Sequence, residues 1–525
     1  MAHKTYPRSI QLGDLFEVIA DAIPNEPALI TNDVKFTYAE LDERITRLAN
    51  HLLSIGIKRG EHVGVHAQNT HEWVEAFYAC AKISAVAINV NYRYVSAELR
   101  YLYDNADCVA VIAEPEYLSA INDVRDALPN LRNVIVLGDD YEAALAAASP
   151  DRDFPGRTAD DVYVLYTGGT TGMPKGVMWR QGDALVECFG GSRTAESVDD
   201  FLAETKGRRA LVAPPFMHGA GHWIAFGSWN AGGTVFVPSI PERLDPHDIW
   251  SMVEQEKIDF LLIVGDAFAR PLIDQLKIQS YDLSTLTVVI SGGAALSAHY
   301  KDELLALVPH LLLIDGLGSS EAGGQLTHMS AIGGASTGTF PLAPNNHVLS
   351  SDYSEVLQPG HVDAGHPDPG WLAKSGRLAL GYLGDAEKTA KTYPVINGVR
   401  YVVPGDRAVL TSDGFVEMRG RDSVTINSGG EKIFAEEVEM AVKSHGEVLD
   451  CVVTGRPSER WGNEVVAIVR LREGSKTNDQ DLLDETAKHI ARYKLPKEFI
   501  YVDHIVRSPS GKADYRWAKS IANPA

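Results

Sequence analysis

Residues 163–176 read Tyr163-Val164-Leu165-Tyr166-Thr167-Gly168-Gly169-Thr170-Thr171-Gly172-Met173-Pro174-Lys175-Gly176. A β-rich run feeds a stretch of glycine and threonine, then a single lysine. Glycines let backbone N–H groups turn toward an anion, hydroxyls add donors, and the ammonium supplies a point charge. This is the chemistry of a polyphosphate cradle. It is not the Walker A loop, because Pro174 and Gly176 flank Lys175 where that loop needs Gly before the lysine and Ser or Thr after it.

Outward from the loop, strand and helix patterns alternate. On the N-terminal side, Thr37 and Glu40 form a capping box, and Leu41, Ile45, Leu48, Leu52 and Ile55 then recur at helical spacing up to Gly56. Strands are expected at 62–66, 86–90, 109–113 and 134–137, with helices around 72–83 and 97–105. On the C-terminal side, runs at 210–213, 234–237, 261–264, 288–291 and 311–315 read as buried strands. Such alternation predicts mostly parallel sheets covered by helices. Beyond about residue 340 the chain is richer in Gly, Pro and Asp, with shorter strands such as 414–419. After Gly420-Arg421-Asp422 a separate α+β unit is expected: a helix carrying Phe434, Val438, Ala441 and Val442 on one face, strands at 450–454 and 465–471, and a helix at 481–493.

Composition sets limits on function. The chain has 525 residues and a formal charge of −22, so an acidic surface disfavours a dedicated nucleic-acid binder. Cys80, Cys108, Cys188 and Cys451 lie far apart with no CxxC pair, the pattern of reduced thiols. The first residues lack the apolar stretch of a signal peptide, and no run approaches the length that crosses a bilayer. A cytoplasmic α/β protein is expected.

The phosphate loop resembles the signature of the adenylate-forming, AMP-binding enzymes, which include acyl-CoA synthetases, peptide-synthetase adenylation domains and luciferases. Further motifs follow in order: Asp315-Gly316-Leu317-Gly318-Ser319-Ser320-Glu321, the Pro-Gly-Asp ending at Asp406, Gly420-Arg421, Ser428-Gly429-Gly430-Glu431-Lys432, and Ser508-Pro509-Ser510-Gly511-Lys512. The resemblance covers essentially the whole chain. It implies a large N-terminal domain (1–421) of helix-covered, mostly parallel sheets with a β-rich subdomain. A small, mobile α+β domain (422–525) follows.

The resemblance also implies roles. Thr167, Gly168, Gly169, Thr170, Thr171, Gly172 and Lys175 would hold phosphates, and Glu321 would hold Mg²⁺. Gly293, Ala294, Asp315, Gly316, Leu317, Gly318 and Ser320 would line the nucleotide. Leu317 stands where the family often has a tyrosine stacked on adenine. Asp406 would take the ribose hydroxyls and Arg421 a nucleotide hydroxyl or phosphate. Lys512 would bridge the attacking carboxylate and the α-phosphate, so Lys512, Glu321 and Lys175 form the implied catalytic set. His218, Gly219, Gly293 and Gly318 would border the acyl group, and Gly429 and Gly430 the coenzyme A tunnel. Asp422 and Ser423 would form the hinge, with Ser423 where many relatives carry Asp or Lys. The spacing of His218 and His222 mimics a metal pair, but the intervening glycines disfavour a helix and no HExxH glutamate accompanies them.

The implied reaction needs no protein nucleophile. The substrate carboxylate attacks the α-phosphate of ATP, releases pyrophosphate, and the acyl-adenylate then passes to the thiol of coenzyme A. Segments 90–94, 176–180, 265–271 and 512–519 resemble actinobacterial fatty-acyl and steroid side-chain CoA synthetases. That similarity implies a bulky hydrophobic acid, of steroid or terpenoid type, with a fatty acid as the other candidate. Two further readings stay open: an enzyme that stops at the adenylate and hands it to a partner, and a silent nucleotide-binding sensor. The family includes both monomers and homodimers.

Overall fold

The computed structural model describes residues 10–167, 173–191, 207–361, 369–421, 424–428, 431–458, 461–508 and 511–523. The main sheet has eight strands in the order 323–330, 312–319, 288–292, 260–263, 209–212, 234–236, 27–30 and 35–37. Its interior pairs are all parallel, and an antiparallel strand closes each edge. A second, four-stranded sheet (86–89, 62–66, 108–113, 133–136) is parallel throughout. The run Cys108–Ala113 is buried at every residue, as expected of a parallel strand covered on both faces.

Helix starts follow local chemistry. Thr37 caps Tyr38–Ser54 with the reciprocal bonds of a capping box, and Thr70 caps His71–Lys82 by accepting from the Trp73 amide. A short antiparallel hairpin, Val162–Thr167 with Lys175–Arg180, carries the phosphate loop between its strands and is extended by Gly381–Tyr382. Residues 339–421 build a separate, largely antiparallel seven-stranded sheet, the β-rich part of the large domain.

The C-terminal region has its own hydrophobic core. Ile433, Val438, Val442, Cys451, Val465 and Leu482 pack between helix Ala435–Lys443 and the sheet Val448–Ser458, Gly462–Leu471, Glu498–Tyr501. All four cysteines are free and buried. Among the described residues no helix is long and apolar enough to cross a membrane.

Two local expectations need correction. The helix expected at 481–493 is only Asp479–Thr486, followed by a separate 3₁₀ turn at Arg492–Lys494. Asn478 fixes its start with a capping box, and residues 487–490 run as turns into the 3₁₀ segment. The glycine-rich segment after His218 is, conversely, a full helix, Gly219–Asn230. Tertiary packing overrides propensity here. A Cβ on Gly221 would lie 2.5 Å from the Pro215 carbonyl oxygen, so the glycine lets the helix start seat tightly on the preceding turn.

Candidate active site

The antiparallel register sets Thr167 directly opposite Lys175 at the base of the phosphate loop. Gly168, Gly169, Thr170, Thr171 and Gly172 lie outside the described residues. The Lys175 ammonium pairs with Asp385 and sits 5.8 Å above the Tyr382 ring. Its hydrogen bond lowers the Asp385 carboxyl below the usual range.

Glu321 occupies the tight turn between strands Leu312–Ser319 and Gly323–Ser330. The Tyr382 hydroxyl donates to its Oε1 at 2.8 Å, and the Tyr393 hydroxyl donates to its backbone oxygen at 3.3 Å. Trp179 holds the neighbouring Ser320 carbonyl through its indole N–H at 2.9 Å. The carboxylate keeps Oε2 without a hydrogen-bond partner among the described residues. One oriented carboxylate with a free oxygen fits a magnesium ion that takes its remaining ligands from phosphates and water.

Gly292 and Gly316 face each other across parallel strands, and Gly293 follows with φ +91°, a conformation that suits glycine. These strand ends, with Leu317, Gly318 and Ser320, line a cavity of about 990 Å³. Thr167, His218 and Gly219 line the same space, as does Lys512 from the small domain. Ligands of open α/β sheets bind at this carboxyl edge. The cavity continues between the sheet and the helix Gly219–Asn230. That helix presents Gly219, Ala220, Trp223, Ile224, Gly227 and Ser228, one face at helical spacing, toward Leu262 and Ile290. Small residues on this face leave the room that the cavity occupies.

Lys512 reaches the cavity from a turn in which Gly511 and Lys512 bond back to Ser508. Arg507 braces the turn by donating to the Gly511 carbonyl at 3.0 Å while paired with Asp450. A Cβ on Gly511 would stand 3.0 Å from Val264 of the large domain, so the two domains touch here. Lys512 is exposed to the open space of the cavity, with protein atoms packed around its mouth. Desolvation and the nearby Arg421 cation push its ammonium down to about 8, against the pull of Glu321 and Asp406. Asp406 and Arg421 are direct cross-strand partners, with Nε to Oδ1 at 3.1 Å. The Asp406 charge raises the Arg421 pKa.

His218 sits at the N-cap of the cavity helix with Nε2 buried and unpaired among the described residues. Burial, and then the Lys512 charge, lower its pKa to about 3, so the imidazole is neutral at physiological pH. His222 turns away into an aromatic nest, 4.7 Å from Phe77 and 5.0 Å from Trp73 between ring centroids.

Neither Asp315 nor Ala294 is among the residues that line the cavity. Asp315 pairs with the buried Lys301, which also bonds the Ser336 carbonyl; desolvation raises the Asp315 carboxyl. Ala294 is partly buried against the core cluster that includes Val264 and Phe268. Gly429, Gly430, Asp422 and Ser423 lie outside the described residues. Sequence reasoning missed Tyr382 and Asp385. The signal was Asp385 as an N-cap, its carboxylate accepting from the Lys388 amide three residues on, immediately after an aromatic strand.

A glycine-threonine hairpin, a carboxylate in a tight turn and a lysine carried in from a separate small domain together define a nucleotide-dependent enzyme that activates its substrate through phosphate chemistry. The chain belongs to the AMP-binding enzyme family: residues 16–365 match the AMP-binding enzyme model, and 437–512 match the AMP-binding enzyme C-terminal domain. It is 43% identical to the medium-chain acyl-CoA ligase Mig of Mycobacterium avium, over 96% of this chain and 97% of that one. It is 41% identical to the 3-oxocholest-4-en-26-oate–CoA ligase of Rhodococcus rhodochrous, over 97% and 96%. Among solved structures, the anthranilate CoA ligase AuaEII in complex with anthranoyl-AMP superposes with a TM-score of 0.85 at 21% identity, covering 98% of this chain and 97% of that one. The fold is therefore that of the adenylate-forming enzymes.

Proposed function

We propose that the chain is an ATP-dependent acyl-CoA ligase that activates a bulky hydrophobic acid, of steroid, terpenoid or fatty type, through an acyl-adenylate. The observation that carries this is the shared cavity, where Lys512 of the small domain meets Thr167, His218 and the glycine-rich strand ends. Its apolar continuation along the helix Gly219–Asn230 supports a hydrophobic acid, as do relatives named for medium-chain and steroid acids.

The substrate carboxylate attacks the α-phosphate and pyrophosphate leaves. Lys512 neutralises charge where the carboxylate and phosphate meet, and Lys175, released from Asp385, takes the phosphate tail. Thr167 and the loop glycines add donors. Asp406 and Arg421 hold the nucleotide's ribose end. Neutral His218 borders the acyl carbon without adding a competing charge. Glu321, oriented by Tyr382, would hold Mg²⁺, whose charge offsets that of the phosphates. The apolar walls exclude water from the mixed anhydride. The small domain (422–525) then turns about Asp422 and Ser423 and brings Gly429 and Gly430 to the coenzyme A path.

The enzyme is further read as cytoplasmic, and a homodimer is the oligomer to test by light scattering. Purified protein should release pyrophosphate only with ATP and acid, and form an acyl-CoA when coenzyme A is added. Lys512→Ala should cut pyrophosphate release by about 10²–10³-fold with an unchanged circular dichroism spectrum; full activity in that variant would remove the role given to Lys512. Adenylate without CoA ester across a broad acid panel would favour transfer to a partner.

A further inference from the structure

We infer that Arg208 is a specificity-determining residue that receives an oxygen acceptor, a keto oxygen or a second carboxylate, at the end of the acid remote from its reacting carboxylate. This rests on the acyl-CoA ligase reading and narrows its substrate class.

Both walls of the apolar cavity run from the phosphate hairpin to Arg208. One wall is the twelve-residue helix Gly219–Asn230, about 18 Å long at the helical rise. Its first residue lies beside the hairpin, since a Cβ on Gly219 would fall 3.2 Å from the Leu165 side chain. Just past its last residue the chain packs on Arg208. A Cβ on Gly233 would lie 2.7 Å from the Arg208 carbonyl oxygen, and the Thr234 amide donates to that oxygen at 2.8 Å. On the sheet side, Phe260, Leu262 and Val264 line the space at alternate positions, and Gly292 and Gly293 line it at the carboxyl edge. Phe260 begins its strand and pairs with Ala210, two residues after Arg208. Side chains two apart share a sheet face. Arg208 therefore extends the row at the end opposite the glycines, where it and Ala231 line the cavity.

The guanidinium spans this end. Its carbon stands 5.7 Å from the Phe260 ring centroid, and Nη1 reaches across to the Thr287 hydroxyl at 3.4 Å. The side chain is 46% exposed, so a ligand can touch it. Its protein contacts are long: Asp259 Oδ1 is 3.9 Å away and accepts instead from the Arg209 amide at 3.3 Å. Arg209, by contrast, is fully engaged, donating to the Glu256 carbonyl at 2.7 Å and carboxylate at 3.2 Å. The N–H groups on Nε and Nη2 of Arg208 have no partner among the described residues. Between this cation and the reacting end, Trp223, Ile224, Leu262 and Ile290 make the wall apolar. An alkyl skeleton fills that stretch, and an oxygen at the right distance meets the guanidinium. A carboxylate takes two of its N–H groups side by side, and a ketone takes one.

The test compares kcat/KM for pyrophosphate release by the full-length enzyme on three sets of saturated acids of decanoic to octadecanoic length. These are plain acids, α,ω-dicarboxylates, and acids with a ketone beside the terminal methyl. At the length that spans the cavity, wild type should favour an oxygen-bearing acid over the plain one by about tenfold or more. Shorter dicarboxylates, whose second charge stops in the apolar stretch, should be the poorest substrates. Arg208→Met keeps an aliphatic stem over Phe260 and should erase the preference through KM, with kcat and the plain acids unchanged. Arg208→Lys should keep part of a carboxylate preference, weakened by salt, and little of a ketone preference. A preference confined to dicarboxylates would identify a carboxylate as the group received, and one that includes keto acids would identify a neutral acceptor. Equal use of all three sets at every length by active wild type would overturn the assignment alone. So would a preference that survives in Arg208→Met, or an equal loss of every acid in that variant. No pyrophosphate release by wild type with any acid would instead overturn the ligase reading, and this inference with it.

Discussion

In the proposed reaction Lys512 acts as a cation, so its protonation would set a pH limit on adenylation. The wall around it disfavours charge, and Arg421 adds repulsion, which together bring the ammonium down to about 8. The protonated form is present below that value and lost above it. We predict that kcat/KM for pyrophosphate release, which reports the free enzyme, is level below pH 8 and falls about tenfold per unit above it. Lys512→Arg, if it retains measurable turnover, should carry the falling limb to higher pH. A profile level to pH 10 in the wild type would contradict the arrangement. His218 contributes no limb in this range, because burial holds it neutral well below pH 6. At this scale the motifs marked Lys175, Glu321, Asp406, Arg421 and Lys512, since motif residues stay local to their loops. They did not show that the Asp315 carboxylate pairs with Lys301, fourteen positions earlier in a packed interior.

The hairpin that presents Glu321 is held from behind by one buried pair. The Lys374 ammonium bonds Glu187 Oε2 at 2.6 Å, the Ala322 carbonyl at 2.9 Å and the Gly324 carbonyl at 2.5 Å. Three elements meet there: helix Gln181–Glu187, the hairpin turn, and strand Gly370–Ser375. Lys374→Met would take the buried ammonium from Glu187 and free both carbonyls, at a cost of about 3–5 kcal/mol. We expect a lower denaturant midpoint, and a raised KM for Mg·ATP in whatever fraction folds. Glu187→Gln combined with Lys374→Met should recover part of the stability, because no lone charge remains. Full stability in Lys374→Met alone would show that the pair is dispensable. Parallel strands were legible in the sequence as short apolar runs, because burial on both faces demands them. The hairpin brace was not, because its two charges sit 187 positions apart. The helix Gly219–Asn230 was hidden for a related reason: its glycines are set by close approach to Pro215 and by the cavity, neither of which periodicity reveals.

The two domains meet around the cavity, and an ion pair joins them away from the chemistry. Lys443, on the small domain's helix Ala435–Lys443, bonds Asp266 Oδ2 at 2.8 Å. Burial would lower this lysine, but Asp266, followed by Asp450, outweighs it and raises the pKa above its ordinary value. Asp266 is itself fixed to the large domain by the Ser297 amide at 2.7 Å and hydroxyl at 2.6 Å. The pair therefore favours the arrangement in which Lys512 stands in the cavity, the one that serves adenylation in the proposed reaction. If the small domain turns between half-reactions, this contact must break, and weakening it shifts the population away from the adenylating arrangement. Lys443→Met should slow pyrophosphate exchange several-fold while leaving thioester formation from synthetic acyl-adenylate and coenzyme A unchanged or faster. Asp266→Asn should act in the same direction, and the double variant should show a coupling energy of about 0.5–3 kcal/mol. Separate assays of the two half-reactions decide the matter. Equal losses in both would mean that the pair only stabilises the fold, and opposite effects would tie it to the choice between the two arrangements.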